Sequence, residues 1–559
     1  MAISNRIYGI DLGTTNSCIA YVDDDGLVQV LPGDVGNVTP SVVWFKSPTE
    51  IVVGMEARRV RSIFPSHVVD LVKRHIAEKD RKRSPGETEW FTEQYGVKWT
   101  AEGISALIVK KLVDDAYKNR GLEVEDVLIT VPQSFGTRAS TATENAARGA
   151  GVNPADRLLP EPSAAAFAYS KSPSTPREPL GDGVNLEGET VLVYDLGGGT
   201  FDAAVARLSE GHVEIIWSEG DSELGGQNWD DAFANLLLEK WKSETRYQGA
   251  DPFETQTTYY DFSSAAEDAK IRLSESNSVP VTVGHNGELA SIEVTRAEFD
   301  RETLELLDAT IELTREAIRK AKENNADPIT RFLLTGGSSH MPQVREALVE
   351  TFDLPVSLYY PEEAVARGAA LYADEHQRGG PKTISNACSK SFGLVLFRDR
   401  DSDERIVKYL IKKGSPVPTT EVEHRSVTHT DDSNVRITVV EGNGNNLVDG
   451  APCLPDFTAD RPYLLPDAVR EISRMTLIMP RGLPAGTPVL NTFYLSPDGG
   501  RLWARAEEQT GGGSVEVQNI EVDALTEDQI SELQDLIEDG YGRDPDSHDK
   551  EDHSRCDEG

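Results

Sequence analysis

The chain has 559 residues, which a length prior divides into roughly three to four domain-sized units, so it is neither a mini-protein nor a lone binding module. Hydrophobic residues make up 38% and charged residues 27%, enough apolar side chain for ordinary cores, and wholesale disorder is excluded. Lys plus Arg number 56 against 94 Asp plus Glu, a net charge of −38, and a field of that sign excludes binding of nucleic acid by charge alone.

The first residues, Met1 to Arg6, lead straight into a short apolar strand and lack the charged, apolar and small-residue regions of a signal peptide. No later stretch is long and apolar enough to span a bilayer, so no membrane partner is expected. Cys18, Cys388, Cys453 and Cys556 form neither a CxxC nor a metal-ligand pattern. That usage fits a reducing compartment, and the cytoplasm is the expected address.

In chain order, the first informative element is Ile7-Tyr8-Gly9-Ile10-Asp11-Leu12-Gly13-Thr14-Thr15-Asn16-Ser17, an apolar strand ending in a carboxylate, a glycine and hydroxyls. Gly13 admits close backbone approach to a ligand, Thr14 and Thr15 can donate to phosphate oxygens, and Asp11 can hold a hydrated Mg²⁺. Alone, this is equally an ordinary turn. Val191-Leu192-Val193-Tyr194-Asp195-Leu196-Gly197-Gly198-Gly199-Thr200-Phe201-Asp202 repeats the arrangement, and two such turns predict two similar lobes that grip a nucleotide from opposite sides, with one carboxylate from each near the metal. No Walker A loop is present, and no GxGxxG follows the first strand. A third glycine pair, Gly336-Gly337-Ser338, again follows a strand, where a helix-starting turn is the plainer reading.

Strands alternate with helical patterns such as Ala297–Lys322 up to about residue 375. Polar insertions around Glu78–Gly96 and Ser170–Glu189 read as surface loops. The polar, glycine-broken stretch at 376–385 is the expected linker. Period-two runs then predict an antiparallel β-sandwich over 386–522, with Ser496-Pro497-Asp498-Gly499-Gly500 as a hairpin turn. One short helix is expected over 523–539, where Thr526 and Gln529 have capping-box spacing and Ile530, Leu533 and Ile537 share a face. The stretch 540–559 reads as an acidic, disordered tail.

The two phosphate motifs, Gly336–Ser338, Glu161-Pro162-Ser163-Ala164-Ala165-Ala166-Phe167-Ala168-Tyr169, Leu224-Gly225-Gly226 and Glu363-Ala364-Val365-Ala366-Arg367-Gly368-Ala369-Ala370 together resemble, in order, the ATPase domain of the 70-kDa heat-shock protein chaperones, the DnaK family. The likeness spans nearly all of residues 5–373. It implies an α/β fold, with an actin-like two-lobed ATPase domain over 1–375 followed by a smaller antiparallel β-sandwich domain that binds peptide. By that resemblance Asp11 and Asp195 hold Mg²⁺ through water and Glu161 orients its shell. Gly13, Thr14, Thr15, Asn16 and Gly197, Gly198, Gly199 and Thr200 surround the phosphates of ATP or ADP, with Gly225 and Gly226 as the other wall. Lys73, in Val72-Lys73-Arg74-His75-Ile76, matches the lysine that reaches the γ-phosphate and the attacking water; from the residues alone it reads as a surface lysine in a basic helix. Thr200 and Asp202 complete the hydrolytic site. Glu267, Lys270 and Ser274, with Gly336, Gly337 and Ser338, are implied at the adenosine.

The sandwich resembles the family's peptide-binding domain more loosely, with Phe392, Leu394, Val435 and Ile437 implied in the pocket; alternate apolar strand positions read equally as core. Departures from the family pattern are Ile271 where an arginine stacks on adenine, His340-Met341 after the third glycine motif, a linker at His376–Lys382 without an apolar residue to dock, and a lid reduced to one helix. The implied activity is ATP hydrolysis coupled to binding and release of unfolded or extended polypeptide, with a J-domain co-chaperone and a nucleotide exchange factor as implied partners. A weakly hydrolysing nucleotide-binding scaffold is the alternative. A small-molecule kinase of the same superfamily is less favoured, because no acceptor-base motif is present.

Overall fold

A computed structural model of the chain describes residues 6–76, 91–154, 158–171, 188–209, 212–380, 384–399, 404–428, 434–442, 449–455, 463–466, 469–480, 483–496, 501–510, 514–520 and 525–541. Of the tail expected at 540–559, Gly540 ends a helix and Tyr541 caps it, while 542–559, most of both insertions and the turn residues 497–500 lie outside these residues.

Two lobes repeat one topology. In the first, β1 (Ile7–Asp11), β2 (Asn16–Val22), β3 (Val28–Val30), β4 (Asp126–Val131) and β5 (Asn153–Pro154) take the order β5-β4-β1-β2-β3. In the second, β6 (Thr190–Leu196), β7 (Phe201–Ser209), β8 (His212–Asp221), β9 (Arg331–Thr335) and β10 (Val356–Leu358) take the order β10-β9-β6-β7-β8. In each, the first hairpin is antiparallel and its leading strand pairs in parallel with the strand that follows a helical crossover. A strand covered on both faces should be apolar throughout, and all seven residues of β6 are buried. The helices that matter below are α1 (Ala101–Arg120), α2 (Thr137–Gly149), α3 (Glu161–Ser170), α4 (Gly226–Thr245), α5 (Gln256–Glu275) and α6 (Ala364–Gln377). The helix expected over Ala297–Lys322 is broken at Thr303 into Arg296–Glu302 and Leu304–Glu323, where the Thr303 hydroxyl donates back to the Phe299 carbonyl at 2.9 Å. No helix among the described residues is long and apolar enough to cross a membrane.

The expected linker divides. Helix α6 continues through Gln377, and β11 (Ile384–Ala387) adds to the second lobe's sheet, Ile384 lying parallel beside Val213. On its other side β11 pairs with β12 (Pro416–Val417), so one sheet runs from the lobe into the sandwich. Docking therefore falls to Ile384, just beyond His376–Lys382. The sandwich itself packs a sheet containing Ser391–Phe397, Arg405–Ile411, Asn434–Gly442 and Val469–Ile478 against one containing Val422–Val427, Pro488–Leu495, Leu502–Glu508 and Ser514–Ile520. Part of the first insertion is also structured, since Phe91–Gln94 and Val97–Thr100 form a hairpin.

The last helix, α7 (Glu527–Gly540), has the Thr526–Gln529 capping box. It packs on the first lobe rather than over the sandwich. Ile537 is buried in that lobe's core, and Leu533 lies against Gly149 and Gly103, where an added Cβ would come within 2.5 Å and 3.3 Å of it. Gln534 donates to the Arg148 carbonyl at 2.7 Å, and Arg148 pairs with Glu527. Replacing Ile537 with Ala should weaken this seat by about 2–5 kcal/mol, read as faster amide exchange over 530–541. The exposed pair should matter far less, so Glu527→Ala should change it by about 1 kcal/mol or less.

Candidate functional site

Each lobe presents a tight turn at the end of its first strand. In the first, Asp11 closes β1 opposite Cys18, and the Gly13 backbone is held at both ends: its N–H donates to Ser17 Oγ at 3.2 Å and its carbonyl accepts from Ser41 Oγ at 2.8 Å. In the second, Asp195 and Asp202 sit directly opposite across the β6–β7 hairpin, and Gly197 N–H donates to the Thr200 carbonyl at 3.1 Å. The first turn of α4 stacks on it, with Gly226 N–H donating to Gly197 and Gln227 N–H to Gly198 at 2.9 and 2.8 Å. The two turns meet: a Cβ on Gly198 would lie 1.8 Å from Thr15 Oγ1, one on Gly199 2.4 Å from Thr14 Cγ2, and one on Gly225 2.5 Å from the Gly199 backbone. A side chain at Gly198 or Gly199 would force the two turns apart, and one at Gly225 would lift the start of α4 off the second turn.

Behind the turns lie four carboxylates and one lysine. Lys73 is on a 3₁₀ turn, Val72–His75, and is buried rather than on the surface, with Nζ 2.6 Å from Glu161 Oε1. Glu161 heads α3. Burial raises the Asp11 carboxyl to about 7, helped by repulsion from Glu161 and opposed by Lys73 and the Thr130 hydroxyl. Burial, then Glu161 and Asp11, push Asp195 up to about 8. Asp202 is raised well above the ordinary range by burial, Glu161 and Asp195, and its Oδ1 has no hydrogen-bond partner. Thr200 is buried beside it in sequence. One lysine does not neutralise four carboxylates, so this donor set fits a divalent cation brought in with phosphate oxygens. No group of three His, Cys, Asp or Glu side chains among the described residues is placed to hold a metal ion directly.

On the nucleoside side the implied residues are engaged with one another and with the first lobe. Glu267 reaches across the cleft to the first lobe, pairing with Arg58 and, at 3.5 Å, with Arg61. Arg61 is buried and also donates to Ser264 Oγ at 3.0 Å. Lys270 pairs with buried Asp230 at 2.7 Å, and Ser274 Oγ donates to the Lys270 carbonyl at 3.3 Å. Gly336 adopts φ +80°, and any side chain there would strike the Leu196 carbonyl. Gly337 is open and exposed, while Ser338 is buried against Gly226. Ile271 is 59% exposed. Arg272 turns away, donating to Asp268 and to the Pro280 carbonyl. Of the pair after the third glycine motif, His340 is exposed and Met341 buried.

Paired lobes, facing turns and a following sandwich agree with the sequence comparison, in which the family described as "Hsp70 protein" matches residues 7–477. The chain belongs to the Hsp70 family. It is 32% identical over 571 aligned positions to the chaperone protein DnaK of Halobacterium salinarum strain R1, and equally to that of strain NRC-1, covering 99% of this chain and 80% of the relative in each case. It is thus a distant, short, chaperone-like Hsp70 of a family that binds nucleotide.

In this Hsp70 the four residues implied in the peptide pocket separate. Phe392 and Leu394 are sealed in the sandwich core. Val435 and Ile437 line a cavity of about 370 Å³, together with Leu396, Phe397, Val427 and Val489. The strand Ser391–Phe397 runs from core to rim, so its apolar face reaches the cavity only at its far end. Sequence reading missed Arg58, Arg61, Ser41 and Thr130. The basic run Ala57-Arg58-Arg59-Val60-Arg61 was a visible signal, but its partners lie some two hundred residues away.

The raised carboxyls set a pH dependence for the protein free of nucleotide and magnesium. Asp11 and Asp195 keep protons to about 7 and about 8 when folded, but lose them near the ordinary value of about 4 when unfolded. The folded state holds more protons between these limits, so its stability should fall as pH rises from about 4 to about 8. Asp195→Asn should flatten the profile and raise Tm above that of the unsubstituted protein at pH 8, measured by thermal scans across pH.

Proposed function

We propose that this protein is an ATP-hydrolysing chaperone whose nucleotide state alters the affinity of its β-sandwich for extended polypeptide. The observation that carries the reading is the shared sheet: β11 joins the second lobe and the sandwich, and its Asn386 Oδ1 lies 2.7 Å from Ser163 Oγ on the first turn of α3, two residues from Glu161. The interface carries further buried charge. Lys413 pairs with Glu219 at 2.8 Å. Glu441 accepts from the N–H and hydroxyl of Thr137 at 3.0 and 2.9 Å, at the start of α2, where a carboxylate also complements the helix dipole. A shift of the first turn of α3 therefore bears on both the hydrolytic carboxylate and the sandwich attachment.

Mg²⁺ bound with ATP would supply charge neutralisation on the phosphates, held through water by Asp11 and Asp195. Its ion pair with Glu161 points Lys73 into the cleft, where the ammonium meets the charge that develops on the transferred group. Asp202 and Thr200 orient and accept from the attacking water. Gly13–Asn16 and Gly197–Gly199 surround the phosphates, and Gly225–Gly226 close the wall. The Arg58, Arg61 and Glu267 clasp closes the cleft over the nucleotide and delays its exit. Buried, unpaired Cys18, Cys388 and Cys453 support the cytoplasmic reading.

A second reading, a weakly hydrolysing scaffold with one dedicated partner, is favoured by the exposed Ile271 and by Glu267 and Lys270 being engaged in ion pairs. Turnover separates the two. Under the first reading Lys73→Ala should lower ATP hydrolysis at least about 100-fold, a loss typical of removing a charged transition-state donor; near-zero turnover of the unsubstituted protein points to the scaffold. For coupling, peptide Kd measured with ATP and with ADP should differ by roughly 5–150-fold. Glu441→Ala should shrink that difference by undocking the sandwich. Equal affinities in both states would sink the coupled reading.

A further inference from the structure

We propose that Arg74 is a positioning residue for hydrolysis, locking the second phosphate turn and the first turn of α4 onto the 3₁₀ turn that carries Lys73. The inference rests on the hydrolytic reading above. Lys73 and Arg74 are successive residues, yet they serve opposite lobes. Lys73 stays in the first lobe on Glu161. Arg74 crosses the cleft, where Nε donates to the Gly199 carbonyl at 3.2 Å and Nη2 to Asn228 Oδ1 at 2.7 Å. That same Asn228 oxygen accepts from Gly225 N–H at 3.0 Å. One guanidinium thus ties together both walls of the phosphate site, Gly197–Gly199 and Gly225–Gly226.

The divergence of the two cations has a local cause. Leu71, which precedes the 3₁₀ turn, has φ 54° and ψ 21°, a left-handed conformation that costs a branched residue free energy and persists only where the surroundings enforce it. The enforcement is the pinning of the next turn at both lobes. Burial lowers the Arg74 pKa, while Asp231, Glu223, Asp221 and the Tyr259 hydroxyl oppose that fall, so the fork sits among acceptors of the second lobe. Asp231 is itself held by Gln227 and Tyr259, both at 2.8 Å. Because carbonyl and N–H of a trans peptide point opposite ways, holding the Gly199 carbonyl also fixes the direction of the Thr200 N–H. A lysine offers one point charge and cannot reproduce the fork that holds the carbonyl and the amide together.

The test uses the full chain, with Arg74→Ala and Arg74→Lys compared with the unsubstituted protein. Single-turnover ATP hydrolysis should fall about 100-fold in Arg74→Ala, the scale expected when a reacting group is misplaced by an ångström, while ATP Kd changes less than about threefold. Arg74→Lys should recover only part, and added guanidinium ion should raise the rate of Arg74→Ala alone. Without nucleotide, the amides of Gly225, Gly226 and Gln227 should exchange at least about tenfold faster in Arg74→Ala, with 530–541 unchanged. An unchanged rate, unchanged exchange at those amides, or a rise in Kd that accounts for the whole loss would each overturn the assignment. No turnover in the unsubstituted protein would sink the hydrolytic reading itself and the role of Arg74 with it.

Discussion

The structure turns on an excess of buried negative charge at the meeting of two lobes. Asp11, Glu161, Asp195 and Asp202 converge with Lys73 as the cation that faces them. Burying carboxylates without compensation is costly, and the protein meets that cost by keeping some of them protonated when nothing is bound. Under the proposed reading, a cation arriving with phosphate would replace protons on Asp11 and Asp195, which ties its binding to the pH dependence of the cleft. The glycine turns are consistent with this demand, since Gly198, Gly199 and Gly225 bring backbone N–H groups near the cleft without side chains that would hold the lobes apart.

That charge is tied to the rest of the molecule in part through short, buried polar contacts. Ser163 with Asn386, Thr137 with Glu441 and Glu219 with Lys413 each join a lobe to the linker strand or the sandwich. Breaking such a contact leaves a buried charge or hydroxyl unpaired, which costs more than the bond itself contributes. Gly414, at φ +85°, lies against the Trp217 ring, where a Cβ would come within 1.9 Å. Close approach and buried charge thus fix the sandwich against the lobes with little room for sliding.

The local parts of this arrangement were legible in the sequence, and the long-range parts were not. Asp11 and Asp195 stand in strand-carboxylate-glycine strings whose period and turn residues fix the hairpin without outside help. The capping box at Thr526 and the apolar face Ile530, Leu533 and Ile537 likewise specify α7 locally. What covers that face is another matter, because Gly103 and Gly149 look like weak points in a helix until Leu533 is seen to need their space. Lys73 reads from spacing as an exposed lysine, since nothing local reveals that Leu71 takes a left-handed conformation and turns it inward. Ile384–Ala387 is too short to stand out as a strand, and its partners come from opposite sides in two different domains. Phe392 and Leu394 show the reverse limit: alternation marked them apolar, but only packing distinguishes the core from the rim of a cavity.

The sandwich is held at both ends, and by different lobes. Its N-terminal attachment, β11, is a strand of the second lobe's sheet, whereas its C-terminal attachment, α7, sits in the core of the first. The seat of α7 is largely apolar, with Ile537 nearly inaccessible and Gly540 against Ile51. That of β11 adds two-residue ladders and the Asn386–Ser163 contact to the burial of Ile384 beside Val213 and Ile215. Apolar burial is non-directional and tolerates small rotations, while a strand register and a 2.7 Å hydroxyl contact do not. A relative rotation of the lobes would therefore strain the β11 ladders and the Asn386–Ser163 contact more than the apolar seat of α7. Among the described residues α7 is thus seated on the first lobe and takes no part in lining the cavity at Val435 and Ile437.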